Sequence, residues 1–253
     1  MLARYDHLFG GKSAHNGTIA DIGDVVGGAT PSKKKPEYYC HDGIGWITPR
    51  DLSNTSDKFI AHGADDITQA GFDSCSVKLL PAGTVLFSSR APIGYIAIAT
   101  DDVTTNQGFK SVVPRTEIGT AFVYCFLIRN KGRIAEAGSG TTFPEVSGKT
   151  MASVELTLPN VGLCAKFEEW AIPLLEQQRC LEEESRQLGN LRDTLLPKLV
   201  SGEIDVSKVV LPIQPNNHLC RTCILAFSSS SSGTDHRGSL FFGRRRACRL
   251  NAR

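Results

Sequence analysis

Residues 78–99, which read KLLPAGTVLFSSRAPIGYIAIA, contain the pattern that decides the fold. Two short apolar runs, at 85–87 and 93–99, are separated by Ser-Ser-Arg and by a proline-containing turn. Short runs rich in Val, Ile and aromatic residues between turn signals predict β-strands. A third run of the same kind, FKSVV, occupies 109–113. The pattern predicts a series of short strands joined by polar turns.

A helix and a last strand complete this region. Residues 117–137 have the apolar spacing of an amphipathic helix, and Gly138 is suited to end it. Residues 154–158, VELTL, form a final β-like run. The expected fold class is therefore α/β (α+β), with a sheet at the centre of the domain.

An apolar repeat of seven residues follows the strands. A seven-residue period with charged flanks is typical of a coiled coil, so we expect a long helix that pairs with another helix. The alternative is a helix packed on its own domain. Pro173 lies inside the repeat and predicts a kink or the start of the main helical segment. The repeat positions are Phe167, Leu174, Leu181, Leu188 and Leu195.

The charge of the chain is unevenly distributed. The net charge of +2 over 253 residues arises from residues 211–253, which contain seven arginines and a single aspartate. The regions before this tail are slightly acidic, so any phosphate-binding surface must be local. The tail, with five consecutive serines and no apolar period, is expected to be disordered.

Composition also bears on the redox state of the cysteines and on the cellular location. The five cysteines before residue 211 are widely spaced, which favours reduced thiols over a disulfide framework. No run reaches the roughly eighteen apolar residues that a membrane-spanning helix needs, and no secretory leader is apparent, so a cytoplasmic location is expected.

Motifs of common enzymes are incomplete. Residues 10–13, GGKS, lack the earlier glycine of a phosphate-binding loop. His218, Cys220 and Cys223 have no second ligand pair at zinc-finger spacing. No arrangement of catalytic or metal-binding residues emerges, so no cofactor and no metal are expected.

Polar clusters at strand ends are the remaining candidates for function. Arg matches guanine edges and phosphates, Asn and Gln match adenine edges, and hydroxyl groups reach phosphates. The alternative for each cluster alone is a satisfied turn or ion pair, such as Arg50 with Asp51 or Asp73. The candidate DNA-binding residues are Lys33, Lys34, Lys35, Thr48, Arg50, Ser88, Ser89, Arg90, Asn106, Gln107, Lys110, Thr141 and Thr142.

Taken together, these segments resemble the target-recognition domain of type I restriction specificity subunits. The similarity runs through IADIGDVVGGATPS, GWITPRDLS, KLLPAGTVLFSSRAPIGYIAIA, TNQGFKSVVP and AGSGTTFPEVSGKTMASVELTLP, and ends in LRDTLLPKLVSGEIDV. The family's usual subunit has two recognition domains and two spacer helices, whereas this chain has one of each. The expected organisation is an N-terminal extension (1–17), a recognition domain (18–162), a helical spacer (163–208) and a disordered or aberrant tail (209–253).

The resemblance implies a non-catalytic subunit that reads double-stranded DNA. Its implied partners are an adenine methyltransferase subunit and an ATP-driven restriction subunit, which would hold the cofactors, and a second copy of this chain. Two alternatives are a coiled-coil interaction protein and a truncated specificity subunit without function. A third, an independent endonuclease or methyltransferase, lacks any catalytic cluster.

Overall fold

A computed structural model describes residues 1–11, 16–90, 92–140 and 144–204. Thr141, Thr142 and the predicted tail at 209–253 lie outside the described residues. The chain divides into two compact units, residues 1–196 and 197–253. In the described part of the second unit, the Lys198 ammonium lies 3.5 Å from the Glu203 carboxylate.

The α-helices are α1 (Leu2–Phe9), α2 (Ile19–Ile22), α3 (Pro49–Ser53), α4 (Gln69–Asp73), α5 (Thr120–Glu136), α6 (Gly148–Ala152) and α7 (Val161–Val200). The strands are β1 (Gly17–Thr18), β2 (Gly23–Gly27), β3 (Tyr39–Cys40), β4 (Ile44–Ile47), β5 (Phe59–Ile60), β6 (Asp66–Ile67), β7 (Val85–Phe87), β8 (Ile96–Ala99), β9 (Val103–Thr105), β10 (Lys110–Pro114) and β11 (Glu155–Leu156). One 3-10 helix spans Pro36–Tyr38.

The predicted last strand, β11, pairs with β1 in a separate two-stranded sheet, and the other three predicted strands, β7, β8 and β10, lie in the central sheet. Its order is β2-β10-β7-β8-β5, antiparallel except for the parallel pair β5–β8. All three residues of β7 are buried, as expected for a strand that is covered on both faces. The sequence predicted the strands of β7, β8, β10 and β11 and the helix α5, and the fold class of an α/β domain followed by a long helix is confirmed.

A second sheet has the order β3-β6-β4-β9 and contains one parallel pair, β4 with β9. Its register aligns Gly45 with Val103 and Ile47 with Thr105. The carboxyl ends of two parallel strands lie at the same edge of a sheet. The residues that follow β4 and β9 are therefore neighbours, although they are almost sixty positions apart in the chain.

The main core lies between the central sheet and the helices α1, α5 and α7. The side chain of Phe167 has no exposed area, and its ring lies 5.6 Å from the ring of Phe9 and 6.1 Å from that of Tyr5. Phe122 joins the same aromatic cluster, at 5.4 Å from Tyr5. The segment predicted to be an N-terminal extension thus contains a helix whose aromatic side chains pack in the core.

The helix α7 is continuous through Pro173. Its first turns are bound to the domain: Cys164, Phe167, Ala171 and Leu175 are buried. Further along, the four leucines at 174, 181, 188 and 195 are exposed. Phe167 was predicted to belong to the same interface as these leucines, and that prediction is wrong because α1 and α5 already cover it.

Glu168 fastens α7 to the beginning of α5. Its carboxylate accepts hydrogen bonds from the backbone N–H of Ala121 at 3.0 and 3.2 Å. Gly119, with φ of 86°, precedes α5, and a Cβ atom there would lie 2.4 Å from the carboxyl carbon of Glu168. Only glycine combines this backbone conformation with such a close approach.

Within the described residues, no helix combines the length and the apolar character needed to cross a bilayer. Among the described residues, the cysteines at 40, 75, 125, 164 and 180 form no disulfide.

Candidate nucleic-acid interface

The parallel strands β4 and β9 bring two predicted clusters together. The backbone N–H of Asn106 donates to the carbonyl of Ile47 at 3.0 Å. Thr48 follows Ile47 directly, so the Thr48–Arg50 segment and the Asn106–Gln107 segment begin side by side. The strand-end position of both clusters follows from the register of this pair.

A third cluster reaches the same place through the end of β7. The backbone N–H of Ser89 donates to the carbonyl of Gly108 at 2.7 Å, and Ser88 forms an antiparallel bridge with Phe109. These contacts fix the start of the turn that carries Arg90. Three segments that are distant in sequence therefore converge at one edge of the fold.

Ser88 and Ser89 support this arrangement from inside. Both are fully buried. The Ser88 hydroxyl donates to the carbonyl of Pro92 and accepts from the N–H of Tyr95, each at 2.8 Å, while the Ser89 hydroxyl donates to the carbonyl of Gly108 at 3.1 Å. The prediction that they contact DNA is wrong, because their hydroxyls face protein groups and lie away from the surface.

The convergence creates an open cleft of about 360 Å³ that bears two arginines, one lysine and two carboxamides. Its lining residues are Thr30, Lys33, Trp46, Thr48, Pro49, Arg50, Arg90, Asn106 and Gln107. An adjoining cleft of about 310 Å³ shares four of them and adds Asp51, Asn54, Ala64 and Asp65. Six of the predicted DNA-binding residues thus lie around one concave surface.

Trp46 and the loop after β2 form the wall of the cleft, and sequence reasoning did not assign them to the site. The indole N–H of Trp46 donates to the carbonyl of Ala29 at 3.1 Å, and the Tyr39 hydroxyl donates to the carbonyl of Pro31 at 2.8 Å. A Cβ atom on Gly28 would lie 2.2 Å from the carbonyl oxygens of Thr105 and Asn106. The glycine allows the loop to lie against the end of β9, and the Gly-Gly pair at 27–28 was the available signal.

Thr48 and Asp51 hold the turn that presents Arg50. The Asp51 carboxylate accepts from both the N–H and the hydroxyl of Thr48 at 2.7 Å, which forms a capping box at the start of α3. Its other oxygen accepts from the N–H of Ala64 at 3.0 Å. Arg50 is exposed and, among the described residues, pairs with neither Asp51 nor Asp73. Its guanidinium is available to a ligand.

The two carboxamides are oriented by hydrogen bonds inside the protein. Asn106 Oδ1 accepts from the N–H of Gly108 at 2.8 Å, and Gln107 Oε1 accepts from the hydroxyl of Thr30. Since these contacts occupy the oxygens, the amide N–H groups remain for a ligand that accepts hydrogen bonds. With the arginines and Lys33, they make a surface dominated by donors.

The three lysines of the loop before β3 lie in different surroundings. Lys33 lines both clefts, and Lys34 is exposed. Lys35 donates to the Tyr38 hydroxyl at 2.9 Å, and its ammonium lies 5.0 Å from the centre of that ring. The hydrogen bond to Tyr38 raises the pKa of Lys35. Of the three, Lys33 is the one that the fold brings to the cleft.

Arg90 and Lys110 share one acidic partner. The Glu145 carboxylate lies 3.8 Å from Arg90 Nη1 and 3.5 Å from Lys110 Nζ. The Lys110 ammonium also donates to the carbonyl of Gln107 at 3.4 Å, which puts it beside the cleft. Among the described residues, no three His, Cys, Asp or Glu side chains are grouped so as to hold a metal ion.

A concave, donor-rich surface at the edge of an α/β domain followed by a long helix defines a class of binding module. Residues 13–162 match the family described as the type I restriction modification DNA specificity domain, and the chain belongs to that family. The family is a recognition domain and not an enzyme, as the sequence led us to expect.

Two curated relatives illustrate the family at the level of sequence. The chain is 43% identical over 145 residues to the MjaIX specificity subunit of a type I restriction enzyme from Methanocaldococcus jannaschii, a match that covers 56% of this chain and 33% of that protein. It is 28% identical over 189 residues to the HindI specificity subunit from Haemophilus influenzae, which covers 74% of this chain and 40% of the relative. The chain therefore matches less than half the length of either relative.

Solved structures show the same fold. The HsdS subunit from Thermoanaerobacter tengcongensis has a TM-score of 0.51 at 17% identity, over 80% of this chain and 50% of that one. The S subunit of a type I restriction-modification system from M. genitalium has a TM-score of 0.52 at 17% identity, over 73% and 45% of the two chains. At this level of identity the likeness concerns the fold alone.

Proposed function

We propose that this protein binds double-stranded DNA in a sequence-specific manner and directs the other subunits of a type I restriction–modification complex to their target. The observation that carries the proposal is the convergence of Arg50, Arg90, Asn106 and Gln107 on one cleft. Membership of the DNA specificity family supports the same assignment. The protein supplies recognition, and the chemistry belongs to its partners.

The donors of the cleft suit two kinds of DNA group. Arginine side chains and amide N–H groups can bind the N7 and O6 acceptors of guanine, while lysines bind phosphates without regard to sequence. We assign Arg90, Asn106 and Gln107 to base edges, because the fold restrains all three. Lys33, Lys34 and Lys110 are assigned to phosphates, and Thr141 and Thr142 remain candidates for the same role.

The expected protein partners are an adenine methyltransferase subunit and an ATP-dependent restriction subunit, with the cytoplasm as the site of assembly. We further propose a homodimer formed through α7. One recognition domain reads one half-site, and two copies related by a twofold axis would read an inverted repeat. The exposed leucines at 174, 181, 188 and 195 support this pairing.

Residues 18–162 are proposed as the DNA-reading domain and 163–208 as the spacer that sets the distance between half-sites. The core contacts of α1 suggest that residues 1–17 also contribute to the stability of the domain. For residues 211–253 we retain the prediction of a dispensable tail, which a chain ending at Val210 would test.

The direct experiment measures DNA binding by the chain in the presence of its methyltransferase subunit. The methylated motif of the host genome supplies the cognate duplex, and a scrambled duplex of equal length supplies the comparison. Arg90→Ala should weaken cognate binding by about 1–3 kcal/mol if the guanidinium contacts a base. Lys34→Ala should instead weaken both duplexes alike and reduce the salt dependence.

The matched control for Arg90→Ala is Arg129→Ala. Arg129 is also a half-exposed arginine in an ion pair, with Asp6, but it lies on α5. A lower melting temperature with unchanged DNA affinity in Arg90→Ala would assign Arg90 a structural role only. Equal affinity of the wild-type complex for both duplexes would contradict the proposed function.

A second candidate function is a helical interaction protein in which α7 is the functional element. The exposed leucines of α7 favour it independently of the cleft. It predicts assembly through α7 without sequence preference for DNA, so the cognate and scrambled duplexes separate the two candidates.

A further inference from the structure

We infer that Glu145 is a specificity-determining residue, which holds Arg90 and Lys110 in place and disfavours DNA phosphates at this side of the cleft. This inference rests on the proposed function. Each of its two carboxylate oxygens faces a different cation, Oε2 toward Arg90 at 3.8 Å and Oε1 toward Lys110 at 3.5 Å. Glu145 therefore connects the turn after β7 with the beginning of β10.

The backbone of Glu145 is anchored close to the turn that carries Arg90. Its N–H donates to the carbonyl of Ser139 at 2.9 Å, and its carbonyl accepts from the N–H of Ser139 at 3.1 Å. The N–H of the next residue, Val146, donates to the carbonyl of Ser89 at 3.0 Å. Glu145 thus directly precedes the residue that is hydrogen-bonded to Ser89, the neighbour of Arg90 in the chain.

The two cations differ in their freedom to move. The Lys110 side chain is only 16% exposed, and its methylene groups lie near Gly27 and Gly148. Arg90 is 38% exposed and lines the cleft. At 3.5–3.8 Å the ion pairs are longer than charge-assisted hydrogen bonds of about 2.7–2.9 Å. The half-exposed pair between Arg90 and Glu145 is worth about 0–1 kcal/mol, so it favours one position of the guanidinium without locking it there.

The remaining cations of the cleft have no such partner. Lys33 and Arg50 form no ion pair among the described residues, and they are free to attract DNA of any sequence. Glu145 adds a negative charge where a phosphate would otherwise meet Arg90 and Lys110. DNA of the wrong sequence is repelled by Glu145 and gains no base contact in return. In cognate DNA, a matching base edge binds the Arg90 guanidinium in the position that Glu145 favours.

The test compares Glu145→Gln with the wild-type chain, both in complex with the methyltransferase subunit, on the cognate and scrambled duplexes. We expect affinity for the scrambled duplex to rise about two- to tenfold, as the loss of one or two weak ion pairs implies. Affinity for the cognate duplex should change less, so the ratio of the two falls. The slope of log K against log salt should steepen by about 0.9 for each phosphate gained.

Glu117→Gln is the matched control, because Glu117 is exposed and lies beyond the opposite end of β10 from Lys110. It removes the same charge and should leave the affinity ratio unchanged. The double variant Arg90→Ala with Glu145→Gln should lose most of the gain on scrambled DNA if Glu145 acts through Arg90. Melting temperatures of all variants report on the fold, and Glu145→Ala, which also removes the charge, replaces Glu145→Gln if the latter is unstable.

The outcomes separate the inference from the function on which it rests. Sequence discrimination in the wild type with an unchanged ratio in Glu145→Gln would overturn the inference alone. An equal rise for both duplexes would also overturn it, since that result indicates general attraction without positioning. If the wild type does not discriminate between the duplexes, the proposed function fails first.

Discussion

The two halves of α7 lie in very different surroundings. In the first half, Phe167 and Leu175 are buried against the domain, and Glu168 binds the start of α5. In the second half, Leu181 and Leu188 are 54% and 59% exposed. The buried apolar residues of the first half therefore serve folding, whereas the exposed leucines from Leu181 onward are available for association.

The contact between α7 and the domain ends near Glu182. Its carboxylate accepts from the backbone N–H of Lys58 at 3.0 Å and of Phe59 at 3.2 Å, at the edge strand β5. A seven-residue repeat does not stay on one face of a straight helix, because its position shifts around the helix by about 20° with each heptad. The buried residues of α7, which are Cys164, Phe167, Ala171 and Leu175, are spaced by three, four and four. The buried face therefore shares Phe167 with the seven-residue repeat and diverges from it afterwards.

The largest expected effect is on folding, and it tests whether the two halves of α7 contribute differently to stability. Phe167→Ala should destabilise the chain by about 3–5 kcal/mol, because a large ring is removed from a packed aromatic cluster. Leu188→Ala is the control, since it also removes an apolar side chain from α7. At concentrations where the chain is monomeric, it should change stability by no more than about 0.5 kcal/mol. Denaturant unfolding measures both, and equal losses would contradict the division of α7.

The next effect concerns assembly. Leu181→Glu should dissociate the proposed homodimer, because burial of each leucine contributes about 1.5–3 kcal/mol and the new carboxylate opposes burial. The domain should keep its wild-type circular dichroism, since Leu181 packs against no part of the core. Sedimentation velocity, with the chain alone and with methyltransferase, reports the change.

Gln187→Glu is the control for Leu181→Glu, because it adds the same charge at an exposed position outside the leucine repeat. It should leave the dimer intact. A wild-type chain that is monomeric under both conditions would show that α7 pairs with some other protein, and an asymmetric methylated motif would lead to the same conclusion.

The sequence predicted the elements of the fold better than the neighbourhoods of single side chains. Strand-like runs separated by turn residues identified β7, β8 and β10, because local patterns determine local structure. The burial of Phe167 depends on α1, which packs on it from the other end of the chain, and a seven-residue repeat carries no information about that contact. Ser88 and Ser89 were misassigned for a related reason: a hydroxyl at a strand end looks the same whether it faces solvent or a carbonyl.

The sequence predicted the polar clusters of the cleft one by one. They lie together only because β4 pairs with β9 in the register that the structure shows. Arg50, Asn106 and Gln107 were proposed because their chemistry matches base edges. Trp46, which forms a wall of the cleft, was not among the predicted site residues. Parallel pairing over almost sixty residues has no local signature, so the common edge became visible only in three dimensions.

The smallest predicted effect is a pH dependence of the free energy of unfolding. It arises from Glu168, in the first half of α7. Two influences oppose each other at its carboxylate. The N–H groups at the start of α5 favour the ionised form, and burial favours the neutral form. Burial is the stronger cause, and the pKa of Glu168 is raised above its ordinary value of 4.5. The folded state therefore binds a proton more readily than the unfolded chain does.

This difference fixes the sign of the pH dependence. As the pH rises above 4.5, the unfolded carboxyl is already ionised while the folded one still retains its proton, so the free energy of unfolding falls through this interval.

Glu168→Gln should remove this fall, because glutamine keeps an oxygen that accepts from the N–H of Ala121 and does not titrate. At pH 4.5 the substitution should cost about 1 kcal/mol or less, as one acceptor replaces another. Unfolding free energies at several pH values between 4 and 7 should show the wild type losing stability relative to Glu168→Gln. The neighbouring exposed residue supplies the control, since Glu169→Gln removes a carboxylate that contacts nothing in the core. Parallel pH profiles for the wild type and Glu168→Gln would mean that burial does not govern the titration of this carboxylate.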